Sequence, residues 1–372
     1  MNRAPGLSNG IRRLLASDVV ATLATPHGVD RYLELFNPLW SVREVRAEVV
    51  ETLRETADTT TLRLRPNSNW LGHRAGQFVR ITVDLDGVAR TRCYSISSSA
   101  LRRDGLIDIT VKTVAGGKVS GPLGGAAWPG MIVTLSQAEG DYVLPEDWGT
   151  RVVLISGGSG ITPNMAMIRT LIDERYAGHI DVLHYAPTYD DVIFGGELVD
   201  LAEKHPNIRL RFGLTRAAAD GDDFEGHFSA AHLDALVAAD ELAGTDIYVC
   251  GPNGLIDAVR AEIAGRGLAK ALHVEQFTAQ TPAPVAEAAG GEVRFVRAER
   301  YVTSDGRTLL DQAEAAGLKP DAGCRMGICM ACKCTKAKGV TKNVLTGELS
   351  TEPNDEIQLC VSVPVGDVTL DI

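Results

Sequence analysis

The sequence predicts a multi-domain chain of mixed α/β and β class: an antiparallel barrel, then a doubly wound parallel sheet, then a small third domain. Three observations predict it. Residues 46–144 alternate with period two, residues 152–277 read as buried strands alternating with helices, and five of the seven cysteines fall in the last fifty residues. A length of 372 residues fits two or three domains, each able to bury a core of its own.

Residues 1–44 are an N-terminal extension. The stretch through Leu35, Phe36, Asn37, Pro38, Leu39 and Trp40 has weak helical periodicity and no recognisable chemistry, which suits a packing role. Residues 45–147 make the barrel: Leu62 and Leu64 alternate with Arg63 and Arg65, and Val79, Ile81, Val83 and Leu85 with Arg80, Thr82, Asp84 and Asp86. Asp86-Gly87 turns the chain back, and Ile107, Ile109 and Val111 resume the alternation. In residues 148–278 the pattern changes to Val152 to Ile155, a helix from Pro163, Val182 to Tyr185, Ile208 to Leu214, a helix from Ser229, Ile247 to Val249 and a helix from Pro252. Strands and helices in that order imply a parallel sheet covered on both faces. Residues 279–291, rich in Ala, Pro and Gly, read as a linker, and 292–372 as the third domain.

Composition excludes several classes. With 45% hydrophobic and 23% charged residues the chain is an ordinary globular protein, and a net charge of -11 argues against a nucleic-acid partner, which needs a basic face. No stretch reaches the roughly twenty apolar residues of a membrane span. The segment Ile11 to Leu23 contains Arg12, Arg13 and Asp18, so it is not a signal peptide, and the odd cysteine count fits no disulfide framework. The expected setting is reducing and cytoplasmic.

Cys324, Cys329 and Cys332 are spaced C-x4-C-x2-C, and 27 residues separate Cys332 from Cys360. This is the plant-type [2Fe-2S] spacing: one loop aims three thiolates at a small cluster and the fourth arrives from elsewhere in the fold. Gly323, Gly327 and Ala331 let the backbone come close. A closed zinc site is the alternative, but zinc ligands come as two short pairs. Cys334, two residues beyond Cys332, reads as a spare thiol, although it is positioned to substitute for a ligand.

Two further sites follow from residue chemistry. Arg92, Tyr94 and Ser95 form R-x-Y-S: an arginine neutralises phosphate, a tyrosine lies against an isoalloxazine ring, and a hydroxyl bonds a ring nitrogen. Gly116, Gly117, Lys118, Val119 and Ser120 follow one strand later, a turn whose amides suit a second phosphate. The strand ending at Ile155 runs into Gly157, Gly158, Ser159, Gly160, Ile161, Thr162 and Pro163, glycines that admit a pyrophosphate to a helix N-terminus, with Pro163 expected at the first helical position. The loop is not G-x-G-x-x-G, so a generic nucleotide loop is the alternative on this motif alone. Cys250, Gly251 and Pro252 end a later strand, where ligands of open parallel sheets gather, and Thr215-Arg216 ends another, placed to grip an adenosine 2'-phosphate.

These motifs in this order resemble the ferredoxin-NADP reductase superfamily over residues 45–278, and Ala322 to Cys334 resembles the cluster loop of plant-type ferredoxins over residues 292–372. The resemblance implies a β-grasp-like ferredoxin domain at the C-terminus and assigns Arg92, Tyr94 and Ser95 to the flavin and its phosphate. Gly116 to Ser120 would hold the FAD pyrophosphate, and Thr162 and Cys250 would flank the nicotinamide. Glu275 and Phe277 match the place where related reductases set an aromatic over the flavin. Ser95, Thr162, Cys250 and Glu275 are the expected catalytic set, with Gly157, Gly158, Gly160, Arg216, Gly251 and Pro252 binding dinucleotide. The whole chain resembles reductases that feed oxygenases, and residues 33–49 are similar to bacterial reductases serving membrane fatty-acyl desaturases. It departs from the phthalate dioxygenase reductase type, which holds FMN, mainly in its extended N-terminus, so FAD is the expected flavin.

The implied activity is transfer of a hydride from NADPH or NADH to FAD and of single electrons through [2Fe-2S] to an oxygenase or fatty-acyl desaturase. Alternatives are a redox-sensing regulatory module, or a reductase for a Rieske or di-iron oxygenase. Arg325, Lys333, Lys336, Lys338 and Lys342 make the cluster region basic in sequence, either a solvated face or a steering surface for an acidic acceptor.

Overall fold

A computed structural model describes residues 10, 11, 15, 20, 28–85, 88–145, 149–238, 241–242, 244–277, 288–322, 327 and 330–372. The chain divides into two compact units, one of Met1–Arg90 and Tyr94–Phe277, the other of Thr91–Cys93 and Thr278–Ile372. Among the described residues no helix is long and apolar enough to cross a membrane.

The first unit holds two sheets. Strands β1 (Val45–Thr56), β2 (Thr59–Pro66), β3 (Phe78–Leu85), β4 (Val88–Ser95), β5 (Ile107–Lys112) and β6 (Ile132–Leu135) pair in the order β4-β3-β6-β1-β2-β5. The two ends of that order meet where Ile96, just past β4, bridges Ile109 on β5, and the Ser97 N–H reaches the Asp108 carbonyl at 2.8 Å. Closure leaves no open edge at this seam and turns the alternating apolar face inward as Val49, Leu62, Leu64, Ile81, Ile96 and Ile109, all fully buried. The predicted Asp86-Gly87 turn lies outside the described residues.

The extension is clasped to the barrel by polar side chains. Helix α1 (Val29–Glu34) brings Asp30 to the Ser41 hydroxyl and the Val42 N–H. The buried Arg46 guanidinium binds Glu34, Glu44 and the Pro38 carbonyl, while the amides of Asn67 and Asn69 donate to carbonyls of Leu39, Ser41 and Glu44. The packing role predicted for this segment is thus met over residues 28–44; most of residues 1–27 lie outside the described residues.

The second sheet is parallel: β7 (Arg151–Gly157), β8 (His179–Ala186), β9 (Ile208–Leu214), β10 (Phe224–Glu225), β11 (Asp246–Gly251) and β12 (Leu272–Gln276), in the order β10-β9-β8-β7-β11-β12. Strand order reverses between β7 and β11, which opens a crevice beyond Gly157 and Gly251. Helix α2 (Ser120–Gly125) belongs to the barrel; α3 (Ile161–Asp173), α4 (Gly195–Lys204), α5 (Ala230–Leu236) and α6 (Asn253–Gly265) cover the parallel sheet. A single turn of 3-10 helix at Gly158–Gly160 precedes α3, so Pro163 sits third in the helix and not first. The position still suits proline, because none of the first four N–H groups has an intrahelical partner.

The second unit is a mixed sheet of β13 (Ala289–Phe295), β14 (Arg300–Asp305), β15 (Lys333–Asn343), β16 (Leu349–Ser350), β17 (Asp355–Gln358) and β18 (Ser362–Leu370), crossed by helix α7 (Leu309–Ala315). Pairing of β13 with β18 is parallel and the other pairs are antiparallel. Thr308 caps α7 by accepting the Asp311 N–H. Strand β13 begins at Ala289, inside the stretch read as linker. Gly291 is there for close approach, not flexibility: a Cβ on it would stand 2.2 Å from the Gly366 carbonyl oxygen. Gly291→Ala is expected to destabilise this unit by about 1–3 kcal/mol, measured as a lower urea midpoint for loss of the visible iron–sulfur absorbance, with flavin release unchanged.

Candidate functional site

The two glycine motifs of the parallel sheet form one wall. Strand β7 delivers Gly157 and β11 delivers Cys250 and Gly251, paired in register through Cys250 and Ser156. A Cβ on Gly160 would lie 2.1 Å from the Cys250 carbonyl oxygen, and one on Gly157 3.0 Å from the Pro252 ring. Gly158 takes a positive φ of 53°. Only glycine lets the loop pass this close to the end of β11, and the result is a helix N-terminus with unsatisfied N–H groups facing the crevice. Thr162, buried in the first turn of α3, donates its hydroxyl to the Ser159 carbonyl at 2.9 Å and so helps fix the loop.

Ser95 ends β4 and Glu275 lies on β12, yet the fold brings them together. Both are buried, and the Ser95 Oγ and Glu275 Oε2 atoms make no regular hydrogen bond among the described residues. Burial pushes the Glu275 carboxyl up to about 8, and the neighbouring Ser95 hydroxyl draws it down only in part. Cys250 is completely buried; desolvation first, then the Glu275 charge, raises its thiol well above the ordinary range, so it is a neutral thiol. Of the expected catalytic set, Ser95, Cys250 and Glu275 therefore form one cluster, with Thr162 in the first turn of the helix after the glycine loop.

The residues expected at the flavin have the following surroundings. Tyr94 packs partly buried against the barrel core, while Arg92 is exposed and donates to the Thr91 carbonyl at 2.7 Å. In the turn at Gly116, with φ of 72°, the Ser120 hydroxyl accepts the Val114 N–H at 3.2 Å. A Cβ on Gly117 would collide with that hydroxyl at 2.2 Å, so the glycine is needed for the turn to close. Val119 is buried and Lys118 exposed. Phe277 packs partly buried against the core of the parallel sheet. Arg216 is exposed just beyond β9, its N–H bonded to the Pro187 carbonyl. The buried polar atoms without partners, the glycine loop and the exposed arginines fit a dinucleotide flavin and a pyridine nucleotide.

In the second unit Cys332 and Cys360 are 2% and 3% exposed in the same core, and the Leu359 N–H donates to the Cys332 carbonyl at 3.1 Å, which joins their two segments. Neither is in a disulfide. Gln358 reaches the Gly327 carbonyl at 2.6 Å and so ties the cysteine loop to β17. Cys324, Cys329 and Arg325 lie outside the described residues. Two buried free thiols supplied from separate segments fit the cluster geometry predicted from spacing. Cys334 faces the same core, its thiol raised mainly by burial.

Of the basic residues read as a solvated face or a steering surface, Lys338 is exposed, Lys342 is half-buried and two others are engaged within the unit. Lys336 is fully buried, its ammonium donating to carbonyls of Gly339 and Glu352, and Lys333 is paired with Glu356 at 2.9 Å. Residues that the sequence reading passed over are Tyr142, Asn164 and the Ser156–His184 pair. Their only signal is a polar side chain inside an otherwise apolar element.

Three family models match in the same order: an oxidoreductase FAD-binding domain over residues 46–143, an oxidoreductase NAD-binding domain over 154–261 and a 2Fe-2S iron-sulfur cluster binding domain over 296–365. An NADPH oxidoreductase of Mycobacterium tuberculosis is 36% identical over 358 residues, covering 95% of this chain and 91% of that protein. The chain belongs to the ferredoxin-NADP reductase superfamily. This reductase is also 30% identical to the glycine betaine monooxygenase reductase subunit of Pseudomonas aeruginosa, across 89% of its own length and 96% of that subunit. Its fold matches that of phthalate dioxygenase reductase, with a TM-score of 0.59 and 20% identity over 88% of this chain and 98% of the other. It is a NAD(P)H-dependent oxidoreductase that uses FAD and a [2Fe-2S] cluster.

Glu275 gives the reductase a distinctive pH response. Its ordinary value is 4.5 and burial lifts it to about 8, so folding takes up a proton between those values. The neutral carboxyl is favoured in the fold; its contribution is complete below pH 4.5 and is lost as pH rises through 8, at about 1.4 kcal/mol per pH unit. Denaturation measured from pH 5 to pH 9 is expected to show this slope in the wild type and a flatter profile in Glu275→Gln.

Proposed function

We propose that this reductase takes a hydride from NADPH and delivers electrons singly to an oxygen-activating protein in the cytoplasm, either an oxygenase component or a membrane fatty-acyl desaturase. The reading rests above all on the meeting of Ser95, Cys250 and Glu275 beside the Gly157–Gly160 loop. FAD, when bound, would supply a carrier able to take up a hydride and release its electrons singly toward the [2Fe-2S] cluster. The chain's own residues do the positioning. The glycine loop would hold the nucleotide pyrophosphate at the start of α3, Arg92 and the turn of Gly116 to Ser120 would bind the FAD phosphates, and Tyr94 and Phe277 would pack against the ring system.

Ser95 and Glu275 offer a hydroxyl and a neutral carboxyl in a buried, low-dielectric site, where each is able to donate a hydrogen bond without adding a charge. Cys250, neutral and at the end of β11, would flank the nicotinamide. Cys324, Cys329, Cys332 and Cys360 hold the cluster. The acceptor class is supported by relatives described as the reductase subunit of glycine betaine monooxygenase and the ferredoxin reductase component of 3-ketosteroid-9-alpha-monooxygenase, and the desaturase alternative by residues 33–49.

Two outcomes test this. Cys329→Ser is expected to retain flavin reduction by NADPH in stopped-flow absorbance while losing reduction of cytochrome c and of the protein acceptor; undiminished turnover with the acceptor would contradict the electron route. Arg216→Ala is expected to raise KM for NADPH about tenfold, the effect of losing roughly 1.4 kcal/mol of phosphate binding, with KM for NADH unchanged in steady-state assays.

A further inference from the structure

Tyr142 lies beyond β6 at the end of the barrel sequence, buried, and its hydroxyl donates to Asn164 Oδ1 at 2.8 Å. Asn164 is fully buried in the first turn of α3, four residues after Gly160, and its Nδ2 donates onward to the Ile155 carbonyl on β7 at 3.2 Å. One phenol is therefore tied, through one amide, to both the helix that begins at the nucleotide loop and the strand that leads into it. Neither residue belongs to a glycine, arginine or cysteine motif.

The surroundings place this bond behind the reacting groups. The Tyr142 ring stands edge-on to Tyr248 at 5.4 Å and 82°, and Tyr248 lies two residues before Cys250 on the same face of β11. Cys250 and Glu275 are among the groups whose charges bear on the Tyr142 phenol, which burial holds neutral and able to donate. The Tyr142 backbone is itself fixed: a Cβ on Gly76 would come within 2.0 Å of its carbonyl oxygen. At the far end of α3 a second attachment to the barrel exists, the Ala100 N–H to Thr170 Oγ1 at 3.0 Å and Arg169 to the Ser97 carbonyl at 2.6 Å. That far attachment holds the helix to the barrel; it lies two turns from the loop.

A buried hydroxyl and amide are costly unless both are satisfied, and an apolar pair of similar size would fill the same space. What the polar pair adds is direction, since the bond is made in only one rotation of α3. We propose that the Tyr142–Asn164 hydrogen bond is a latch that sets the first turn of α3 against Cys250 and Glu275, making both residues positioning residues for hydride transfer. The inference rests on the hydride-transfer reading above. Small displacements of a donor from its acceptor slow such a step steeply.

The test uses full-length, flavin-loaded protein in anaerobic stopped-flow. Tyr142→Phe and Asn164→Leu are each expected to slow flavin reduction at saturating NADPH about tenfold and to weaken the long-wavelength absorbance of the reduced protein with NADP+, while FAD content stays unchanged. The double variant is expected to be no slower than the slower single. Thr170→Val, which removes the Ala100 bond of the far attachment, is expected to lower Tm but leave the reduction rate within twofold. An unchanged rate and long-wavelength band in Tyr142→Phe, multiplicative losses in the double variant, or equal slowing by Thr170→Val would each overturn the latch. If neither NADPH nor NADH reduces the wild-type flavin, the functional reading falls, and the latch with it.

Discussion

The approach of Gly160 to the Cys250 carbonyl is the contact on which the site depends. It joins the end of β7 to the end of β11 across the point where strand order reverses, and with no side chain between them the loop lies flat on the neighbouring strand. That contact fixes where α3 begins, and so where its unsatisfied N–H groups face. It also fixes Cys250 in the floor of the crevice. Any Cβ at Gly160 would lift the loop, move the helix start and open the floor together. One backbone contact thus sets three features that in sequence look independent.

Closure of the barrel supplies the opposite wall. Because Ile96 bridges Ile109, the strand bearing Tyr94 and Ser95 cannot slide along its neighbours, and Ser95 is held in a buried position facing β12. Glu275 arrives there from the last strand of the parallel sheet, with no arginine or lysine near enough to figure among the causes of its shift. An unpaired carboxyl in such a place is kept neutral by desolvation. A neutral acid and a hydroxyl beside the crevice can donate hydrogen bonds while presenting no repulsive charge to an electron-rich ring. The price is stability at alkaline pH, a common arrangement at functional sites.

Much of this was legible in the sequence, for physical reasons that differ between elements. Val152 to Ile155 reads as a strand and lies inside β7, because a β strand buried on both faces leaves an uninterrupted apolar run. The cysteine spacing was legible because cluster geometry constrains the chain directly. The contact between Gly160 and Cys250 was not, since each glycine motif is locally complete and their pairing depends on topology. Lys336 misled: a lysine in a row of lysines reads as solvated, yet its stem crosses the core and its ammonium finds two carbonyls. Gly290-Gly291 misled in the other direction, because glycine serves both flexible linkers and close backbone contacts. Tyr142 and Asn164 lie 22 residues apart in elements whose patterns are apolar, and nothing local marks them as partners.

The division into two units carries a consequence for how the chemistry is separated. Ser95, Cys250, Glu275 and the glycine loop all belong to the first unit, and Cys332 and Cys360 to the second, which has its own core built around Phe295, Leu309, Leu310 and Val361. In that core the thiols replace apolar side chains, so the cluster site is part of what holds the second unit together. Two-electron chemistry needs reactants fixed to fractions of an ångström, whereas electron transfer to a cluster needs a dry, rigid thiolate cage but no bond to the nucleotide. Separate cores allow each requirement to be met without compromising the other. The exposed surroundings of the cysteine loop, Met330 and Leu345 near Gly327, are apolar, while Lys333 is already neutralised by Glu356. Apolar side chains and an internally paired lysine thus stand nearest the described part of that loop.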